Sequence, residues 1–539
     1  MGNIKKQTYL QAALVLMFAN LTVRSIGAIF KIPIIKLLGD IGFAYYQDAY
    51  SLYALFFAVS TAGLPVAISR MISITDQNKN YEEEKKIFKI AFLSFVTIGA
   101  VGSAAMIFGA RTYSSFIANE NAYYSILMLA PTLFFICITS AYRGYFQGRH
   151  NMIPTAISEI IEALCKLFIG IAAALYSINI YGSKRPDITA AFAISGLTAG
   201  SLLGAAYLYI KKIMTKRVEK EKSGITKVKK NSDILKEIIK ISIPIMLTSA
   251  VANLTGVIDS FMMKRRLMAI GWEQNTAIGT YGQYTGLAVP FFNLPNTLVV
   301  AFAVSIIPVI SAAFDQKNTN LVKSTIESTF RVVSMIAAPC AFGLFCFAKP
   351  ILNLIYPEKA EAVAATFPML TILGIGVFFV SMMTVTNSML QAQNQEKKTV
   401  ISMACGMFVK FVLSYILIGI PELNKFGTPI STVFCCFTIM CLNFYFLNKY
   451  SNIRLPVRQA FLKPLFSGIC MSVCSVFTYI FLNNVLNGSK IAFIAALAVA
   501  VFTYFIFIII FKTLTKDDVL LLPKGDKLYE FMKKKKIIN

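Results

Sequence analysis

Apolar residues gather along the chain into blocks of about twenty, separated by short polar stretches that hold most of the charge. A block of that length suits a helix crossing the roughly 30 Å hydrocarbon core of a bilayer. Fourteen segments can be read, at about 8–30, 45–70, 87–110, 121–142, 154–178, 188–210, 238–263, 278–312, 325–348, 362–390, 399–420, 427–448, 460–482 and 490–512. The eighth carries Pro290, Pro295 and Pro308 and the tenth Gly374 and Gly376, which are sites for a bend. The pattern predicts an all-α polytopic membrane protein. Lys5 and Lys6 before the first apolar run resemble a secretion signal. No small-residue cleavage pattern follows and the run is long enough to span, so it reads as an uncleaved first helix.

The pattern also repeats. Ala19-Asn20-Leu21-Thr22 returns 233 positions later as Ala252-Asn253-Leu254-Thr255. Pro65-Val66-Ala67-Ile68-Ser69 is echoed by Pro308-Val309-Ile310-Ser311. Gln147, Thr155, Ile157, Ser158 and Lys166 match Gln391, Thr399, Ile401, Ser402 and Lys410 in one frame, at an offset of 244. Segments one to six thus map onto seven to twelve. An even number per half implies two six-helix lobes related by a pseudo-two-fold axis along the membrane normal, with two further C-terminal helices. The expected division is an N-lobe at 1–210, a basic linker at 211–237, a C-lobe at 238–450, the last two helices at 451–512 and a basic tail at 513–539. Two lobes with this symmetry suit transport through the cleft between them by alternating access.

Composition strengthens that reading. Apolar residues make up 56% of the 539 and charged residues 14%, against roughly 45–50% and 25% in soluble proteins. Mean hydropathy is +0.65. Disorder, collagen and disulfide-stapled scaffolds are excluded by the same numbers. The net charge of +26 would suggest nucleic acid in a soluble protein. Here basic residues crowd the loops on one side, so no nucleic-acid partner is expected. With the N-terminus inside, the inner stretches carry 36 Lys and Arg, the outer stretches 12, and four lie within segments. That excess predicts a plasma-membrane protein with both termini and the 211–240 loop cytoplasmic. The loop and tail are basic enough to lie on anionic lipid headgroups. All ten cysteines lie in apolar segments, and His150 is the sole histidine, so no zinc-type ligand set is present.

Ionisable groups at membrane depth are candidates for function. Glu162 and Lys166, and likewise Glu327 and Arg331, stand four apart and can neutralise each other on one helix face. Glu159 lies a turn from the inner boundary. Arg24, Lys410 and Asp259 have no such local partner. Arg24 shares a helix face with Asn20 and Lys31, and either faces a cavity or snorkels to the outer headgroups. Arg70 ends the second segment, and Arg143 and Arg149 follow the fourth. They belong to the inner basic excess or receive an anionic headgroup through bidentate contacts. Asp259 either pairs with Lys264 or Arg265 or holds a coupling cation, for which Asn387 and Gln391 are candidate amide ligands.

The stretches YYQDAYSLYALFFAVSTAGLPVAIS at 45–69 and YRGYFQGRHNMIPTAISEIIE at 142–162 carry a resemblance. So do ANLTVRSIGAIFKIPIIKLLG at 19–39 and DVLLLPKGDKL at 518–528. Together they resemble the MurJ/SpoVB/YtgP branch of the multidrug/oligosaccharidyl-lipid/polysaccharide exporter superfamily, from the first helix to the tail. The resemblance implies fourteen helices in two lobes around a cationic cavity. It also implies flipping of an undecaprenyl-pyrophosphate-linked sugar, lipid II, for peptidoglycan or spore cortex. Arg24 matches the family's helix-one arginine, and Arg70 the basic residue closing the second-helix motif. Asp259 is similar in location to an acidic sodium-site residue. Where the family has Gln-x-x-Glu-Gln after RGYFQG, this chain has Glu159-x-x-Glu162-Ala163.

A lipid-linked sugar diphosphate is too polar to cross unaided, and arginines in a cavity can replace its hydration while the prenyl tail stays in lipid. No phosphate-binding G-x-x-x-x-G-K-[ST] loop is present. No cofactor is expected, and the energy is expected from Na⁺, H⁺ or the membrane potential. The chain is expected to be a monomeric secondary transporter with no catalytic residues, its partners being a lipid-linked oligosaccharide and membrane lipids. Flipping of another polysaccharide repeat unit and drug/cation antiport stand as alternatives. The antiporter would want acidic groups in helices one and three. A membrane-embedded glycosyltransferase would need a large outer loop bearing carboxylates, and the outer loops, such as 111–119 and 421–426, are short.

Overall fold

The computed structural model describes residues 9–61, 63–77, 80–182, 184–216, 230–315, 319–393, 395–451, 458–485 and 490–513. Lys5 and Lys6, most of the basic linker (217–229) and the tail from 514 lie outside the described residues. Every regular element among the described residues is helical. The first group is α1 (Tyr9–Thr61), α2 (Leu64–Gln77), α3 (Tyr81–Phe116), α4 (Tyr123–Gly148), α5 (Ile153–Tyr181), α6 (Pro186–Lys216), α7 (Asn231–Ala269) and α8 (Gln274–Gln283). The second is α9 (Val289–Asp315), α10 (Thr319–Ile355), α11 (Ala360–Ala392), α12 (Glu396–Ile418), α13 (Gly427–Ser451), α14 (Lys463–Val485) and α15 (Lys490–Ile510).

Twelve helices among the described residues are long and apolar enough to cross a membrane. The first, Phe18–Asp76, has 59 residues. That is about 88 Å of helix, nearly three times the hydrocarbon core, and it contains the first two sequence segments. The eighth segment falls on α8 and α9, which are not among the twelve. No loop separates the first two segments. The chain stays helical through Lys31, Lys36 and Asp40 except at Gly39, where φ of 67° and ψ of −176° break the helix. A residue with a Cβ would be strained there.

The expected bends are found in part. Between α8 and α9 the helix widens into a π turn at Tyr284–Ala288, immediately before Pro290, whose missing N–H ends the ordinary ladder. In α11, by contrast, Gly374 and Gly376 leave the helix continuous. Gly374 serves packing instead, because a Cβ there would stand 2.7 Å from the backbone nitrogen of Phe345 on α10. A kink absent from the expectation lies in α10, at Phe347 between Pro339 and Pro350.

Contacts divide the chain into two compact units, Met1–Gly282 and Gln283–Asn539. The sequence repeat places its boundary earlier, in the linker, because it tracks ancestry of segments whereas contacts track packing. In the first unit α4 is the most enclosed helix, set among α1, α2, α3 and α6. α7 joins this unit by packing on α1, α2 and α3. A Cβ at Gly63, between α1 and α2, would collide with the backbone of Ser242 on α7. In the second unit α11 lies against α9, α10 and α13. Its core holds Val299, Phe330, Met382, Leu390 and Leu447.

The repeat is also written in hydrogen bonds. After α4, the amide of Arg149 donates to the carbonyls of Tyr145 and Phe146, and Asn151 to Phe146. After α11, Gln393 donates to Met389 and Leu390, and Gln395 to Leu390, at the same offset of 244. All ten cysteines are free thiols.

Candidate functional site

Beyond Gly39, α1 carries aromatic residues at 43, 46, 50, 53 and 57, a spacing that puts them on one helical stripe. Successive ring centroids lie 5.9, 6.4, 6.0 and 5.8 Å apart. Phe30, from before the break, approaches Tyr46 at 6.1 Å. Over this wall α5 lays the ammonium of Lys166, 5.0 Å from the Phe30 ring and 5.2 Å from that of Tyr50.

The expected Glu162–Lys166 pair does not form. Glu162 accepts a hydrogen bond from Nη2 of Arg143 at 2.8 Å, and Nε of Arg143 donates to Ser158 at 2.9 Å. Glu159 stands 3.9 Å from the same guanidinium. A planar cation on α4 offers better geometry than an ammonium one turn away, so a tertiary contact overrides the helical spacing. Arg143, a candidate for substrate, is therefore already bound to carboxylates. In the repeat frame its counterpart is Asn387, and Glu159 and Glu162 correspond to Met403 and Gly406. The fold therefore does not require charges at these positions.

A second polar centre of the first unit is fully enclosed. Asp48 of α1 meets Lys264 of α7 at 2.5 Å, with neither side chain exposed. Ser260 donates to Asp48 Oδ1 at 2.6 Å and Asn119 to Oδ2 at 2.5 Å. Lys264 also donates to Ser260 at 3.2 Å and lies 4.8 Å from the Tyr281 ring centre. Arg265, next along α7, donates instead to the carbonyls of Phe116 and Ser115 at the end of α3. Both residues expected beside Asp259 thus have contacts elsewhere in the unit. Asp259 is half-buried.

The remaining candidates are scattered. Arg24 and Asn20 are exposed on the first half of α1, and Arg70 is exposed on α2. In the second unit Lys410 is fully buried on α12, one turn before Ser414, whose hydroxyl meets Ser431 at 2.7 Å. Asn387 accepts from Nδ2 of the buried Asn443 at 2.7 Å, while Gln391 is exposed. Asp259 belongs to the first unit, Asn387 and Gln391 to the second. Arg331 donates to Ser328 at 2.9 Å. Among the described residues no group of three His, Cys, Asp or Glu side chains is placed to hold a metal.

The second unit contains a cavity of about 1010 Å³ between α9, α10, α14 and α15. Its walls are apolar, with Phe291, Ile336, Leu344, Phe347, Leu497 and Phe505 among them. Along α10 it runs from Val332 to Ile355, about 35 Å of helix and the full depth of a bilayer core. Tyr504, the hydroxyl in its wall, donates at 2.8 Å to the carbonyl of Met335. That carbonyl lacks its helical donor because the residue four places on is Pro339.

A helical membrane protein with an internal repeat, buried charges and such a cavity invites comparison with known transporters. The family model described as polysaccharide biosynthesis protein matches residues 9–314. The chain belongs to that family. A second model, MatE, matches 244–416. "Stage V sporulation protein B" of Bacillus subtilis is 23% identical over 520 residues, covering 96% of this chain and 98% of that one. The "Lipid II flippase MurJ" of the same organism is 22% identical, covering 85% and 86%. Among solved structures, lipid II flippase MurJ in an inward closed conformation aligns with a TM-score of 0.70 at 17% identity, covering 92% of this chain and 98% of that one. An inward-facing MATE-family transporter of the MOP superfamily aligns with a TM-score of 0.66 at 14% identity, covering 81% and 98%. This member of the polysaccharide biosynthesis protein family is a multi-pass helical membrane protein with the fold of the MurJ and MATE structures.

Sequence reasoning passed over three residues of these clusters. Asp48 lies 216 positions from Lys264, and no spacing rule connects them. Tyr46 read as one aromatic among many in an apolar block. The helical pairing rule assigns Lys166 to Glu162, whereas the structure sets it over the rings of Phe30 and Tyr50.

Proposed function

We propose that the protein is a flippase for an undecaprenyl-pyrophosphate-linked sugar, moving it from the inner to the outer leaflet, with lipid II as its substrate. The apolar cavity of the second unit carries this reading. At about 1010 Å³ it reaches the upper end of typical small-molecule sites, yet its wall offers no charged group to orient a drug cation. A long prenyl chain asks for apolar surface over the depth of the bilayer, as the α10 wall supplies. The named relatives include a lipid II flippase and a sporulation protein, which agrees with a cell-wall or cortex precursor as cargo. Both termini are cytoplasmic in this proposal, and transport draws on Na⁺, H⁺ or the membrane potential, with Asp259 a candidate for coupling.

The test is complementation of a strain depleted of its own lipid II flippase, with membrane abundance of the introduced chain measured in parallel. Growth supports lipid II as substrate. Failure of a well-expressed chain removes lipid II and leaves another lipid-linked repeat unit. Orientation is checked with a single cysteine at position 225 on a cysteine-free background, which an impermeant reagent should label only after cells are opened.

A further inference from the structure

We propose that Glu159 is a proton-binding site of the first unit, set beside the Arg143–Glu162 ion pair, and that its proton is exchanged during transport. Two carboxylates share one guanidinium here. Arg143 donates through Nη2 to Glu162 at 2.8 Å and through Nε to Ser158 at 2.9 Å. Glu159 is left 3.9 Å from Nη1, beyond hydrogen-bond reach. Its Oε2 is buried and has no hydrogen-bond partner, and one turn earlier on α5 the hydroxyl of the fully buried Thr155 has none either. One cation balances one carboxylate, so the second is a surplus negative charge at membrane depth. A bound proton removes that charge and turns the carboxylate into a donor. Na⁺ suits the place less, because Arg143 would repel it. The other groups around α5 do not supply the missing charge. α6 has no charged residue between Asp187 and Lys211 and meets Glu162 with Gly200 and Gly204. Among the described residues neither Lys31 of α1 nor Lys166 of α5 comes within ion-pair distance of Glu159, and Lys166 lies over Phe30 and Tyr50. The phenols of Tyr142 and Tyr145 on α4 turn to Phe88. Those of Tyr50 and Tyr53 on α1 and Tyr207 and Tyr209 on α6, and the thiols of Cys137 and Cys165, bring no positive charge.

The internal repeat shows what this place holds when no charge is needed. Glu159 and Glu162 stand in the frame of Met403 and Gly406 on α12. In the second unit a Cβ at Gly406 would collide with Ile439 of α13 and stand 3.1 Å from the carbonyl of Cys435. In the first unit the roles are exchanged. A Cβ at Gly204 of α6 would stand 3.0 Å from Oε1 of Glu162, and one at Gly200 2.9 Å from the Glu162 carbonyl. The equivalent helix contact is filled by an isoleucine against a glycine in one unit and by a carboxylate against a glycine in the other. An apolar filling is cheap in lipid and a glutamate is not, so the first unit carries two carboxylates and an arginine for a reason other than packing. The side chains of Glu159 and Glu162 are 23% and 21% exposed, so a proton reaches them without the helices parting. Exchange of the proton during transport rests on the flippase reading; the proton site itself does not.

The experiment reads the proton directly. Infrared spectra of the purified full-length chain in detergent are recorded near neutral pH, and the carbonyl band of a protonated carboxyl group is compared between wild type and variants. The wild type should show a band that Glu159→Gln removes. Glu162→Gln should remove it too, because Arg143 is then free to pair with Glu159 as a carboxylate. A merely structural ion cluster predicts no band, or one that Glu159→Gln leaves in place, and either outcome overturns the site. Should the glutamine variant fail to fold, Glu159→Met serves the same comparison, since methionine holds the equivalent position in the second unit. Absence of the band, together with stabilisation by Na⁺ but not K⁺ that is lost in Glu159→Gln, would make this a sodium site and overturn the proton. Complementation by Glu159→Gln at the wild-type level would overturn the exchange during transport. Failure of the wild-type chain to complement, with its Glu159 band intact, would overturn the flippase reading and leave the proton site standing.

Discussion

The carboxylate of Asp48 and the ammonium of Lys264 form an ion pair from which solvent is wholly excluded, 2.5 Å apart. Two charges taken out of water cost several kcal/mol each, and their attraction offsets this only if the remaining lone pairs and protons are satisfied. Ser260 and Asn119 do so for Asp48. The pair joins α1 to α7, the first helix after the linker.

Breaking one side of this pair should therefore cost more than removing both. Lys264→Met or Asp48→Asn alone should lower stability by about 3–5 kcal/mol, the usual penalty for an uncompensated buried charge. The double variant should regain most of that loss. Thermal unfolding of the four purified proteins decides it; a wild-type-like single variant would show that the pair is not holding α7.

Arg143 answers two carboxylates. Arg143→Gln should leave Glu159 and Glu162 facing each other across a charge deficit and reduce membrane abundance. Adding Glu162→Gln should restore the abundance. If transport returns with it, Arg143 has only a structural task; if abundance returns and transport does not, the guanidinium meets substrate as well.

Tyr504 closes a gap that proline makes. Tyr504→Phe leaves the Met335 carbonyl without a donor in an apolar wall, which should cost about 1–3 kcal/mol. Pro339→Ala restores the helical N–H and should make the tyrosine dispensable, so that Tyr504→Phe costs little in that background. Equal losses in both backgrounds would mean that the hydroxyl contributes through something other than this carbonyl.

Arg24 is exposed on the first half of α1, and its chemistry separates two roles. If it meets a diphosphate, Arg24→Ala should abolish complementation and Arg24→Lys should restore it in part, because an ammonium cannot make the bidentate contact. If it reaches for headgroups, lysine should serve as well as arginine. Abundance of each variant must match the wild type for the comparison to count.

Much of the fold was legible because a bilayer imposes a length on every apolar block. The α3–α6 and α10–α15 helices lie where the blocks lie. What escaped were features that a length rule does not see. Lys31, Lys36 and Asp40 suggest a polar loop, yet Gly39 alone breaks the helix, since one residue with left-handed φ redirects a chain without unfolding its neighbours. Glu162 and Lys166 obey the four-residue rule on paper, but Arg143 on a neighbouring helix outcompetes Lys166. Asp48 and Lys264 come together only through the packing of α7 on α1. Of the candidate residues, those at membrane depth were found by their cost in lipid, while their partners were set by tertiary structure.

The cavity beside α10 has a thermodynamic consequence. A space walled by side chains such as Leu344, Leu497 and Phe505 offers water almost nothing to bond, so it does not wet. Left empty, it would forfeit dispersion contacts along its whole wall. Hydrocarbon from the surroundings must fill it, whether acyl chain, detergent or cargo tail. Whatever binds the folded chain and not the unfolded one adds to its stability. The melting point of this protein is thus set partly by the lipid around it, and delipidation should weaken the second unit before the first.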